Sequence, residues 1–270
     1  MSKPEGIYVC VDYRVTDSRN GALIDDSAIK SLRVDFAPLP VGVKALLTFT
    51  GVAILPDGTP TMTWIRETLR GESEFPDQAL AHLRERLNRD YAGMRHPLIV
   101  NILAVHGEKR FFGGFSNIAS TSFKPLTEFG YVMQEVNEEF LFANGHGAFT
   151  AFADTKLHKM QSLLGTRPRS VKDHMKLLSI VNRRVAASDP SVSPFCMVQF
   201  INADESFSPA TRTFAEGGEQ PPSGFSMLLG GIDLTELSRQ AQEAFQSMKD
   251  GKPFEHPTNE EMNEQLKRRP

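Results

Sequence analysis

The sequence is poor in cysteine: its 270 residues include only Cys10 and Cys196, each inside an apolar run. This scarcity excludes a disulfide-stapled scaffold, and we expect both residues to be buried, reduced thiols. The chain also lacks an apolar run close to the roughly 18–20 residues that span a bilayer. Its start shows no signal-type apolar region. These absences predict a cytoplasmic protein that does not contact membranes.

The sequence also has no large excess of positive or negative charge, and its potential metal ligands are not clustered. The 30 Lys and Arg residues nearly balance the 33 Asp and Glu residues, for a net charge of −3. The composition therefore does not predict the broad positively charged surface that is typical of nucleic-acid-binding proteins. The seven histidines are scattered, and they form neither a HExxH motif nor a paired-cysteine spacing. We expect no nucleic-acid partner, no metal and no cofactor.

Apolar runs of strand length recur along the chain. The clearest hairpin lies within 97–118, where two such runs are joined by His106–Lys109. The stretch 120–130 has no regular pattern and is expected to be irregular. Further strands are predicted over 6–15, 31–39, 44–53 and 193–202, and another from residue 138.

Helical periodicity marks three segments. Apolar residues have helical spacing in 61–70 and in 77–91, and again in 170–189, which Ser170 can cap. Two more helices are predicted, one after the glycine-rich corner at 145–147 and one over 234–248.

The order of these elements does not alternate as in a doubly wound sheet. The predicted strands follow one another as antiparallel hairpins, and the predicted helices follow one another in pairs. This order predicts an α+β protein with the four-layer α-β-β-α sandwich architecture. We assign one domain to 1–203 and a C-terminal extension, with a helix and a mobile polar tail, to 204–270. The apolar stretch 225–234 of this extension is either a docking surface or a strand added to a sheet.

In this order, the elements resemble proteasome-type subunits of the N-terminal-nucleophile (Ntn) hydrolase family over most of 6–203. GIYVCVDYR resembles the family strand that ends in D-x-R, and SAIKSLRV resembles the segment with its catalytic lysine. KALLTFTGVAILPDG resembles the strand whose last glycine supplies an oxyanion-hole amide, and 145–147 resembles a G-x-G corner. The central hairpin, the helix over 170–189 and the closing strand also have counterparts in that order.

The resemblance implies a mechanism and the residues for it. In the family, the side chain of the first residue is the nucleophile and its free amine is the general base, while a lysine and an aspartate support them. Here those supporting roles fall to Lys30 and Asp12, with the oxyanion amide at Gly51. Asp189 would support the terminal amine. Structural alternatives stay open: a solvated Lys30, a strand-end ion pair between Asp12 and Arg14, a tight strand end at Gly51, and a turn at Asp189.

The nucleophile is the point at which the pattern departs from the family. The family places a full strand ahead of its aspartate, whereas only eleven residues, including Pro4 and no threonine, precede Asp12. Three explanations are open: a strand encoded upstream, a catalytically inactive relative, or loss of Met1 to leave Ser2 as nucleophile. The last becomes better spaced if Asp17-Ser18-Arg19 is the D-x-R motif, because Ser2 precedes Asp17 by fifteen residues.

The function implied is therefore a proteasome-like amide (peptide) hydrolase of the Ntn type, truncated or inactive if no nucleophile is supplied. The alternative is a non-catalytic assembly subunit of the same fold; a small-molecule amidase from another Ntn branch fits the element order less well. Expected partners are further copies of the chain, in a homo-oligomer, and a peptide or small amide substrate.

Overall fold

The structure, a computed structural model, describes residues 1–17, 20–36, 42–71, 75–119, 124–139, 141–145, 148, 170–215 and 226–235, with residues 238, 243 and 246. The strands are β1 Ser2–Lys3, β2 Gly6–Asp12, β3 Val15–Thr16, β4 Leu23–Asp25, β5 Ser31–Asp35, β6 Lys44–Gly51, β7 Leu98–His106, β8 Lys109–Ile118, β9 Pro125–Glu135, β10 Cys196–Asn202, β11 Ala210–Phe214, β12 Ser226–Leu229 and β13 Ile232–Asp233. The helices are α1 Thr61–Leu69, α2 Pro76–Tyr91 and α3 Val171–Ala186.

Two main sheets organise the fold. The larger has the strand order β13-β12-β5-β6-β7-β8-β9 and is antiparallel except where β12 runs parallel to β5. The smaller has the order β1-β2-β10-β11 and is antiparallel throughout. A separate two-stranded ribbon is formed by β3 and β4. The fold is therefore a mixture of sheets and helices.

Hydrophobic clusters show what covers each sheet. One cluster joins the larger sheet to α1 and α2, with Ile65 and Leu83 fully buried. A second joins the two sheets through Leu46 and Ile201. A third joins α3 to the smaller sheet around Met175. Because β6 and β10 have cover on both faces, they are nearly continuous apolar runs and not alternating ones.

The strongest local patterns are confirmed. The hairpin of β7 and β8 turns between His106 and Lys109, as the sequence predicts. The three periodic segments form α1, α2 and α3. Ser170 caps α3 in a capping box, since its hydroxyl accepts from the Asp173 amide at 3.2 Å and the Asp173 carboxylate accepts from the Ser170 amide.

Two strand predictions are wrong. Irregular structure was expected over 120–130, but β9 begins at Pro125. Most of this edge strand is exposed, so its sequence lacks the apolar alternation of a half-buried strand. The strand expected from residue 138 is not present in the described residues between 136 and 145. Residues 146 and 147 of the corner, and the helix expected after them, lie outside the described residues.

Part of the chain after residue 203 joins the sheets. β11, which the sequence did not predict, pairs with β10. The interpretation of 225–234 as an added strand is confirmed, because β12 pairs with β5. The helix predicted over 234–248 and the polar tail lie mainly outside the described residues, and the division at residue 203 stays a prediction. No helix in the described part of the chain is long and apolar enough to cross a membrane.

Candidate functional site

A lysine–aspartate pair lies where β2 ends and β5 begins. The Lys30 ammonium donates to both carboxylate oxygens of Asp12, at 3.0 and 3.1 Å, and to the carbonyl oxygen of Arg14. The two side chains are 15% and 21% exposed. β2 ends here because the Asp12 carboxylate accepts from the Arg14 amide at 2.7 Å, a local bond that competes with strand pairing. An ammonium has three donors, and three acceptor atoms surround this one, so the position of the Lys30 side chain is fixed.

The Arg14 side chain ties three segments together behind this pair. Its Nε and Nη2 donate to the two oxygens of Asp26, at 3.1 and 2.9 Å, and its Nη1 donates to the Pro190 carbonyl at 2.8 Å. A bidentate arginine–carboxylate pair fixes orientation as well as distance. The neighbouring Ser193 amide donates to Asp12 at 3.4 Å. The Arg14 guanidinium therefore pairs with Asp26 and not with Asp12, whose contact with this residue is through the backbone amide. The sequence did not predict the contacts with Asp26 and Pro190.

The Asp26 carboxylate predicts an acid-sensitive contribution to stability. Hydrogen bonds from Arg14 hold the pKa of Asp26 below its ordinary value of 3.8, against the opposing effect of burial. A carboxylate with a lowered folded-state pKa stabilises the protein above its unfolded pKa, and that contribution is lost as the pH falls below about 4.

We expect Asp26→Asn to lower stability by about 0.5–1 kcal/mol at pH 7, since the pair is partly exposed. The midpoint temperatures of the two proteins, measured from pH 7 to pH 3, should approach each other at the acid end. Curves that stay parallel down to pH 3 would contradict this assignment.

Gly51 ends β6 in a conformation that only glycine supports. Its φ is +99°, and a Cβ atom there would lie 1.9 Å from the Pro97 carbonyl oxygen. The register pairs Gly51 with Leu98 of β7. This geometry accounts for the glycine without a catalytic role, and its amide as an oxyanion donor stays a prediction. The structure does place Gly51 near the lysine–aspartate pair, because Gly51, Lys30 and Asp12 line the same cavity.

That cavity has a volume of about 680 Å³. Its described lining includes residues of β2, β6, β7, β8 and α3, the loop 141–145, the segments 14–17 and 52–54, and Met1. Gly145 lies beside Thr50, since a Cβ added to the glycine would be 3.6 Å from the threonine methyl carbon. A concave, mainly apolar space with a few convergent polar groups is the usual form of a small-molecule site.

Ser2 is not brought to this cavity floor. β1 pairs with β2 through Ser2 and Ile7, and Asp12 lies five residues beyond Ile7, or roughly 16 Å along an extended strand. The Ser2 hydroxyl accepts from Arg110 at 3.0 Å and is buried. Ser2 as nucleophile stays a prediction, and this arrangement does not support it.

Of the second D-x-R motif, only Asp17 belongs to the described residues, and it lines the same cavity as Lys30. It is the segment Asp12–Arg14 that holds the Lys30 ammonium, through a side chain and a carbonyl oxygen. Asp17 accepts through its carbonyl oxygen from Gly21 at 2.7 Å in the following turn. Ser18 and Arg19 lie outside the described residues.

Asp189 is engaged in its own turn. Its carboxylate accepts from the amide and hydroxyl of Ser191, at 2.9 and 2.6 Å. This is the turn that an Asp-Pro sequence favours. Ser191 lines the cavity, so the loop borders the site, and a direct role for Asp189 stays a prediction.

Both cysteines are free thiols, as expected, but only Cys196 is buried; the expectation of a buried Cys10 is wrong, because this residue is partly exposed. Cys10 lines the cavity, while Cys196 is buried. A hydrogen bond with Cys196 and burial raise the pKa of the Cys10 thiol. Because the thiolate is the reactive form, Cys10 is a poor nucleophile at neutral pH.

Sequence reasoning also missed a polar group on the cavity wall: Thr48 of β6, Asn101 of β7 and Asn144. The signal was present in the sequence, since a threonine and an asparagine interrupt the apolar runs KALLTF and LIVNILAV. Without the register of the two strands, nothing indicated that the two interruptions meet.

Comparison with known proteins gives limited similarity. No protein-family model matches the chain, and no curated protein matches it. Among solved structures, the chain is similar to Anbu (ancestral beta-subunit) from Yersinia bercovieri, with 14% identity, a TM-score of 0.43, and coverage of 96% of this chain and 98% of that one. It is also similar to an Anbu (Gly-1) mutant from Hyphomicrobium sp. strain MC1, with 12% identity, a TM-score of 0.44, and coverage of 94% and 96%. At TM-scores this low, neither likeness establishes a family for this chain.

Proposed function

We propose that this chain has the four-layer α-β-β-α architecture of proteasome-type Ntn hydrolases and acts as an amide (peptide) hydrolase. The observation that carries the proposal is the Lys30 ammonium, held by Asp12 and the Arg14 carbonyl at the wall of a cavity that also contains Gly51. The packing of α1 and α2 on one sheet and α3 on the other supports the architecture.

The chemistry follows from a fixed positive charge beside a largely apolar space. In such a space, a cation lowers the pKa of a neighbouring nucleophile or amine and stabilises negative charge that develops during acyl transfer. Asp12 and the Arg14 carbonyl hold the Lys30 side chain in one orientation, so it does not have to move as the reaction proceeds. The Gly51 amide is the proposed oxyanion donor.

The test is covalent labelling of the purified chain with a peptide vinyl sulfone, read by intact mass and adduct mapping. We expect one adduct per chain, mapped to a residue of the cavity, and parallel hydrolysis of a neutral peptide aminomethylcoumarin amide. Adduct mapping also identifies the reacting group directly. A folded chain with neither an adduct nor hydrolysis would overturn the enzymatic proposal.

A second candidate is a non-catalytic subunit of a homo-oligomer with the same fold. The observation in its favour is that Lys30 has all three of its donors bonded inside the protein, while Ser2 lies at the other end of β2. Light scattering of the unlabelled chain tests it. An oligomer that does not label would favour this candidate, and an active monomer would exclude it.

A further inference from the structure

Two polar side chains meet inside otherwise apolar strands. Thr48 and Asn101 are each 7% exposed and face each other directly in the register of β6 and β7. The Asn101 amide nitrogen donates to the Thr48 hydroxyl at 3.3 Å, and the Asn144 amide nitrogen donates to the Asn101 carbonyl oxygen at 3.3 Å. All three line the cavity. Polar groups at such positions are costly unless they are hydrogen-bonded.

Counting donors and acceptors shows what this group has left. A carboxamide carries two N–H donors and an oxygen with two lone pairs, and a hydroxyl carries one donor. Among the described residues, Asn101 uses one N–H and one lone pair, and the Thr48 oxygen accepts one bond. Asn101 therefore keeps one N–H and one lone pair, and Thr48 keeps its hydroxyl proton and one lone pair. Asn144 donates to Asn101 and accepts from the Gly145 amide, so it also keeps one N–H and one lone pair. A group that both accepts and donates is complementary to this set.

The charged groups on the cavity wall indicate which net charge a ligand should carry. Lys30 and Arg14 are the lysine and arginine side chains of the described lining, and each is paired with a carboxylate, Asp12 and Asp26 respectively. Met1 and His96 also line the cavity, and burial lowers the pKa of the Met1 amine to about 5. The lysine and the arginine can each stabilise charge that develops nearby, but neither is an unpaired cation that would select a ligand with a full negative charge. Much of the remaining described wall is apolar, with Val9, Leu103, Phe112, Leu141, Leu178 and Val185. The cavity is therefore suited to a neutral ligand.

We propose that Thr48, Asn101 and Asn144 form a subsite that binds a neutral primary carboxamide on an otherwise apolar substrate. A carboxamide accepts from the free N–H or hydroxyl and donates to the free lone pair, whereas a carboxylate has no donor and carries an uncompensated charge. This inference rests on the proposed function, because it places the substrate in the same cavity as Lys30.

The test compares binding of N-acetyl-L-leucinamide and N-acetyl-L-leucinate by saturation-transfer NMR titration. We expect the carboxamide to bind at least about tenfold more tightly, the value of one to two hydrogen bonds. The double variant Thr48→Val/Asn101→Leu removes both partners at similar volume, so it should fold while losing about tenfold in carboxamide affinity. Asn144→Ala, in an exposed loop, should weaken binding severalfold without threatening the fold.

Gln199→Leu is the matched control. Gln199 is also a buried strand carboxamide, but it has no hydrogen-bond partner among the described residues and is not among the described lining of the cavity. We expect this variant to bind the carboxamide as the native chain does. Equal affinity for carboxamide and carboxylate, or an unchanged affinity in both the double variant and Asn144→Ala, would overturn the subsite.

The outcome separates this inference from the proposed function. Selective carboxamide binding without vinyl sulfone labelling or hydrolysis would support the subsite and overturn the enzyme. Hydrolysis of neutral amides with no carboxamide preference would support the enzyme and overturn the subsite.

Discussion

Replacing Lys30 with methionine is expected to lower the rate of amide hydrolysis by at least about 100-fold, the typical loss when one preorganised electrostatic partner is removed. Methionine keeps the length and the apolar stem of lysine but removes its charge. The Asp12 carboxylate then keeps its bonds from the Arg14 and Ser193 amides but loses the only cation paired with it among the described residues. The variant should also lose vinyl sulfone labelling.

The control for this variant is Lys44→Met. Lys44 lies at the opposite end of β6 from the cavity and donates to Asn202 at 3.0 Å. Like Lys30, Lys44 is a partly buried lysine that donates to a side-chain oxygen, but it does not line the cavity. Initial rates should fall only in Lys30→Met, while circular dichroism shows that both variants are folded. Full activity in folded Lys30→Met would place the reaction elsewhere on the chain.

Asp233→Asn is expected to lower the free energy of unfolding by about 3 kcal/mol, the lower end of the cost of breaking a buried ion pair. The Asp233 side chain is 3% exposed; it accepts a hydrogen bond from Arg70 at 2.8 Å and forms an ion pair with Arg66 at 3.2 Å. These bonds hold the β12–β13 edge of the larger sheet against α1. We choose the lower end because both arginines also contact Glu67, so neither is left without a carboxylate.

Urea unfolding, followed by the fluorescence of the single tryptophan, Trp64 in α1, measures this change. Asp90→Asn is the matched surface control. Asp90 pairs with Arg86 and Arg89 at 3.2 and 2.8 Å, but the Arg89 side chain is 59% exposed, so the expected loss is below about 1 kcal/mol. If both variants lose the same free energy of unfolding, the contacts of Asp233 with Arg66 and Arg70 do not stabilise the sheet edge more than a surface ion pair would.

The sequence predicted the elements whose signals are local. The helical spacing in α1, α2 and α3, the Ser170 cap and the turn between β7 and β8 all depend on residues a few positions apart. Backbone geometry relates such residues directly, so a pattern in the sequence is enough. The prediction failed at β9 and β11, because exposed edge strands need no apolar alternation and their pairing comes from a neighbouring strand.

The candidate site divides in the same way. Asp12, Lys30 and Gly51 were selected from the sequence by their order among the predicted elements, and the structure places all three on one cavity. The Arg14 bridge to Asp26 and Pro190 and the meeting of Thr48 with Asn101 appear only in three dimensions. The distance between Ser2 and Asp12 is likewise known only from the structure.

By itself, the sequence determined the helices α1, α2 and α3 and the hairpin of β7 and β8, together with a net charge of only −3 and only two cysteines. Only the tertiary structure decided which polar residues become neighbours. Contacts such as Arg14 with Pro190 span 176 positions, and strand register sets which side chains meet across a sheet. These pairings depend on the packing of the whole chain, and no local pattern encodes them.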